Sequence, residues 1–128
     1  MNKIFNTKEF NVYEMIDFIK NGIETEVPFA SITKGVFGGD TIMLLISFDP
    51  KSEWKHGYVE NSNYFRMMVE DNGVIEEFTR SLYYSGVGKS FETRLKTKFR
   101  KCTVKSKEDV VRKIKDYINK VKKELNGD

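Results

Sequence analysis

The sequence predicts an α+β protein: a mainly antiparallel sheet of about four to five strands, with an N-terminal and a C-terminal helix packed on one face. Three observations predict it. Capped, striped helical segments stand near both ends, and apolar or alternating stretches lie between them. The breaks between those stretches are short turns, where a parallel sheet needs long crossovers.

The first helix is predicted near Asn11–Asn21. Asn11 and Glu14 form the capping-box pair, and Phe10 and Met15 occupy the positions of a hydrophobic staple. Val12, Met15, Ile16 and Ile19 make an apolar stripe at helical spacing, and Gly22 supplies a left-handed stop. A strand-like stretch, Phe29–Phe37, leads through the turn Gly38-Gly39-Asp40 to Thr41–Phe48. That segment is the most apolar of the chain and is expected as a central strand. Lys51–Asn63 is polar and turn-rich, with Trp54, His56 and Tyr58 embedded in it.

Tyr64–Val69 alternates, placing Phe65, Met67 and Val69 on one face. Asp71-Asn72-Gly73 is a hairpin signal, so the next stretch is read as a return strand. Its Val74, Ile75, Phe78 and Leu82 fit a helix face equally well. Ser85–Ser90 is a Gly-rich loop. Thr93–Val104 is a long strand candidate with Leu95, Thr97 and Phe99 on one side. Cys102 and Val104 fall out of step with them, which predicts a bulge near Arg100-Lys101. Ser106 caps the last helix, with Asp109 at the third position and Glu108 in the first turn. Its stripe is Val110, Val111, Ile114, Tyr117, Ile118, Val121 and Leu125, and Gly127 lies just past its end.

At 128 residues the chain fits one domain spanning 1–128. With 39% hydrophobic and 32% charged residues, it has the composition of a packed protein with a solvated surface rather than a disordered one. Its longest apolar run, Ile42–Ile46, falls far short of the ~18 residues that a membrane span needs. Met1–Phe5 lacks the apolar region of a signal peptide. Cys102 is the sole cysteine, so no internal disulfide is possible. A cytoplasmic, reducing setting without membrane association is therefore expected.

The net charge of +3 conceals a division: residues 1–88 sum to −5 and residues 89–128 to +8. Such asymmetry points to an acidic partner for the basic part. Its centre is a cationic row, Arg94, Lys96, Lys98 and Arg100, alternating with Leu95, Thr97 and Phe99. Alternate residues of an extended chain project to one side, ~6.6–6.8 Å apart, a step suited to successive phosphates. Lys101, Lys105 and Lys107 extend the positive region, and Lys89 supports it. Two readings stand side by side. The row is the solvent face of a strand, paired by Glu70, Glu76 and Glu77, or it is a binding face for phosphates or carboxylates. The last helix is expected to neutralise itself through Glu108–Arg112, Asp109–Lys113 and Asp116–Lys120, leaving Lys115, Lys122 and Lys123 unpaired.

Other constellations point elsewhere with less force. Gly86-Val87-Gly88-Lys89-Ser90 lacks the Walker spacing, because Tyr83 stands where the first Gly is needed. It reads as a connector or a backbone anion nest. His56 has no second imidazole or thiolate pair nearby in sequence, so neither a metal nor a cofactor is expected. Cys102 reads as a buried, inert thiol. Trp54 and Tyr58 on a polar loop have the character of binding anchors. Only the helix–strands–helix order resembles double-stranded-RNA-binding domains, and no residue is carried over from it.

The expected function is therefore non-enzymatic binding of an acidic partner, either nucleic acid or a protein that handles nucleic acid. The alternative is an inhibitor from a phage or other mobile element, docking on a host defence nuclease through Trp54, Tyr58, Tyr83 and Tyr84. A small enzyme built on His56 is the remaining expectation.

Overall fold

The computed structural model describes residues 2–35, 40–48, 63–80 and 95–127, and the backbone of 54–55, 58–59, 81, 83–84 and 89–90. Among the described residues, two helices and nine strands follow in the order α1 (Val12–Ile23), β1 (Phe29–Lys34), β2 (Thr41–Ser47), β3 (Trp54–Lys55), β4 (Tyr58–Val59), β5 (Tyr64–Glu70), β6 (Val74–Ser81), β7 (Tyr83–Tyr84), β8 (Lys89–Ser90), β9 (Cys102–Thr103) and α2 (Lys107–Leu125). The main sheet is antiparallel with strand order β1-β2-β5-β6-β9. The expected α+β class, with a helix at either end of the chain, is what forms.

α1 begins as its sequence dictates. The Asn11 side chain accepts from the Glu14 amide, and the Glu14 carboxylate accepts from the Asn11 amide. Gly22 is not its stop, however. The helix runs on to Ile23, and the cap residue Glu24 keeps right-handed dihedrals. Gly22 serves packing instead: a Cβ there would lie 2.5 Å from Cγ1 of Val111, so α2 crosses α1 over a position without a side chain. Phe10 packs edge-on against Phe18 at 6.4 Å.

β2 lies inside the sheet, paired along its length with β1 and β5. Phe65, Met67 and Val69 of β5 stand opposite Ile46, Leu44 and Ile42 of β2, and all six are buried. Met15 and Ile19 of α1 and Ile114, Tyr117, Ile118 and Val121 of α2 belong to the same core. Leu125 departs from the predicted stripe. It is 36% exposed and borders a hollow of about 490 Å³ beside Val27, Pro28 and Phe48.

The stretch after the hairpin is a strand, as the turn chemistry requires. Gly73, at φ +94°, closes the turn by donating to the Glu70 carbonyl at 2.9 Å. The same turn gathers distant chain: Asp71 receives the Ile4 amide and donates to Asp40, and the Gly73 carbonyl accepts from Val104. The helical look of residues 74–82 has a structural cause. Thr79 pairs with Arg66 but Glu77 pairs with Met67, so Phe78 is an extra, bulged residue, and it is 44% exposed.

The expected turn at 38–40 lies outside the described residues except for Asp40, and so does the Gly-rich 85–88 loop.

Candidate functional site

Residues 95–104 keep the predicted alternation but not the predicted ladder. Leu95 is buried and Thr97 and Phe99 are half-buried, while Lys96, Lys98 and Arg100 are exposed. Two consecutive exposed residues, Arg100 and Lys101, mark the slip in phase that the sequence places there. The long strand Thr93–Val104 is corrected: among its described residues, pairing to β6 is confined to Cys102–Thr103, opposite Ile75 and Val74.

Side chains replace the missing ladder. The bulge at Phe78 puts Glu77 opposite Met67 and Arg80 opposite Phe65, so both point to the core face of β6. From there the Arg80 guanidinium donates to the Thr97 carbonyl at 2.8 Å. The Thr97 amide donates to both carboxylate oxygens of Glu124 on α2, at 3.1 and 3.0 Å. One peptide segment is thus clamped between a strand and a helix, with both its polar groups satisfied.

Beneath the clamp lies a polar cluster. The Tyr117 hydroxyl donates to the Glu77 carboxylate, and Arg80 Nε lies 4.0 Å from the same carboxyl group. Burial raises the Glu77 carboxyl above its ordinary range, while the Tyr117 bond, Arg80 and Lys98 pull it back part of the way. Burial, and then the bond to Glu77, push the Tyr117 phenol well up, so it stays protonated. Tyr117 also packs against Phe65 at 4.8 Å and Phe99 at 5.3 Å.

Between residues 97–102 and α2 runs a groove of about 330 Å³. Phe99 and Tyr117 line it from the core side. Lys98, Arg100 and Lys101 come from the extended segment, and Lys113 and Lys120 from α2; among the described residues the one acid lining it is Asp116. Lys113, Asp116, Tyr117 and Lys120 follow the i, i+3, i+4, i+7 spacing of one helix face. Lys101 sits 3.5 Å from Glu76, in an exposed pair worth little. Among the described residues, Lys98, Arg100, Lys113 and Lys120 have no carboxylate at ion-pair distance.

The self-neutralised helix is also corrected. None of the three expected i, i+4 pairs closes among the described residues. Arg112 turns back to Asp109 at 2.9 Å, where three residues' separation gives the shorter reach. Lys115 and Lys122, expected unpaired, approach Glu26 beyond the end of α1 at 3.7 and 3.9 Å. Lys107 stands 4.3 Å over the Phe10 ring. These cations are engaged within the fold, whereas Lys113 and Lys120 face the groove.

The remaining sequence candidates fall in different places. Lys96 and Lys105 are exposed but do not line the groove. The side chains of Lys89, Arg94, Trp54 and Tyr58 lie outside the described residues, as do His56 and the 85–88 loop. Backbone pairing joins Trp54 to Val59 and Lys55 to Tyr58. Cys102, expected buried, is half-buried and lines the groove. Among the described residues, no three His, Cys, Asp or Glu side chains gather as metal ligands, and no helix is long and apolar enough to cross a membrane.

Sequence reasoning missed Glu77, Arg80, Tyr117 and Glu124 as the frame of this site. The double periodicity of residues 74–82 was the available signal for the first two, since a bulge produces it. Nothing local links Glu124 to Thr97, 27 positions away. No protein-family model, curated protein or solved structure matches the chain.

Proposed function

We propose that this protein is a non-enzymatic binding module that holds a phosphate-bearing polymer, a nucleic acid, along the groove beside α2. The observation that carries the reading is the imbalance of charge there: Lys98, Arg100, Lys101, Lys113 and Lys120 against Asp116. Among the described residues, four of those five cations have no carboxylate at ion-pair distance, which leaves them able to meet a polyanion. Arg100 offers a planar fork for bidentate phosphate contact, and the lysines act as point charges. Their net attraction comes largely from release of counterions, which makes the affinity depend on salt and little on sequence.

The test is a salt titration, followed by fluorescence anisotropy of labelled mixed-sequence DNA and RNA. Binding should weaken linearly in log Kd against log salt. Lys98→Gln, Arg100→Gln, Lys113→Gln and Lys120→Gln together should lower the slope by roughly 3, at ~0.7–0.9 per lost contact. Lys98, Arg100 and Lys120 are exposed and Lys113 is half-buried at the groove, so circular dichroism should be unaltered. A folded quadruple variant that binds with unchanged affinity and slope would sink the proposal, and so would a wild-type protein that binds neither polymer at low salt.

A further inference from the structure

We infer that the groove selects a single, unpaired strand by seating a base against Phe99 while the surrounding cations hold the adjacent phosphates; this rests on the polyanion reading above. Charge alone would serve a duplex as well as a single strand. The groove, however, has an aromatic lining as well as a cationic one. Phe99 is half-buried, lines the groove, and is held edge-on by Tyr117 at 5.3 Å. Lys98 and Arg100, its neighbours in the extended segment, are exposed and line the same groove. Lys113 and Lys120 supply the facing rim from α2.

An aromatic surface flanked on both sides by phosphate-binding cations is the arrangement that recognises unpaired bases, because every base offers a π-face once it is out of the duplex stack. A duplex keeps those faces internal and presents its phosphates on a convex surface that a groove of this size does not admit. The volume, about 330 Å³, lies at the small end of the ~300–1,000 Å³ range of ligand sites and suits one nucleotide at a time. The clamp on Thr97 by Arg80 and Glu124 holds this wall of the groove in place, so little ordering is left for binding to complete.

The test compares three probes with equal phosphates per strand: a single-stranded oligonucleotide, the same strand made abasic, and its duplex. The base-bearing single strand should bind about tenfold more tightly than the abasic strand, the gain expected of one stacked base. Phe99→Leu should erase that ratio and leave the salt slope intact, whereas Lys98→Gln with Arg100→Gln should weaken both strands alike. Because Phe99 packs on the core, a second measurement uses the unmodified protein. Cys102 lines the same groove and is the sole cysteine. Its alkylation by N-ethylmaleimide should slow about fivefold under saturating single strand and much less under abasic strand. Equal affinity for base-bearing and abasic strands would overturn the inference and leave the polyanion reading standing, as would tighter binding of the duplex. Binding of none of the three would remove both.

Discussion

β5 and residues 95–100 carry the same alternation of inward and outward side chains, yet the fold holds them by opposite means. β5 has a strand on either side, and its inward residues Phe65, Met67 and Val69 are at most 1% exposed. Residues 95–100 form no ladder. Leu95 and Phe99 anchor them, and Arg80 and Glu124 supply the two hydrogen bonds that fix Thr97. The difference shows that a period of two specifies an extended chain with two faces and leaves the pairing to the neighbours. A segment released from pairing can settle by its inward row against a helix and leave a groove between them, which a central strand cannot do.

The largest expected break in this contrast is on the β5 side. Phe65→Ala should cost about 4 kcal/mol, read as a fall in the urea midpoint, because it hollows the centre of the core. A loss below about 1 kcal/mol would mean the sheet closes over the gap. Next comes the clamp. Arg80→Met should cost about 2 kcal/mol, since it strips a bond from the Thr97 carbonyl and takes the Arg80 cation away from the half-buried Glu77. Hydrogen exchange should then quicken at residues 95–100 while the amides of β5 keep their protection. Uniform loss of protection would show that the two regions are not independent.

The smallest effect is on the pH profile. Glu77 has its carboxyl raised above the ordinary 4.5, so the folded state holds its proton longer than the unfolded chain does. Stability supplied by this group is therefore present below that value and declines as pH rises toward the raised one. Arg80, Tyr117 and Lys98 are the groups bearing on this carboxyl, and the Tyr117 phenol, itself pushed well up, stays protonated in that window. In Glu77→Gln the decline should vanish, seen as a flatter difference between wild-type and variant melting temperatures across pH 4 to 7. An unchanged profile would mean that burial does not govern this carboxyl.

Much of the fold was legible because it rests on local chemistry. Asn11 with Glu14, Ser106 with Asp109, and the Asp71–Gly73 turn each act within three residues, and the cores of β2 and β5 announce themselves by composition. What could not be read depends on partners far apart in the chain. Gly22 looks like a stop to any local rule, and only the approach of Val111 explains it. Thr93–Val104 looks like a strand because alternation does not reveal whether a neighbouring edge continues. The cationic residues of the site were found, since exposed Lys and Arg at alternate positions are visible in sequence. Their companions Lys113 and Lys120 were assigned to intrahelical pairs, and it took the helix's placement to show which way they face.

The hairpin turn at Asp71–Gly73 bears on how the chain reaches this state. Ile4, Asp40 and Val104 all bond to it, so three remote stretches converge on one tight reversal. Bringing them together means closing loops of tens of residues before those bonds return anything, and that entropy is spent late. Folding should therefore be limited by assembly around this junction, with the two helices forming early and waiting for it.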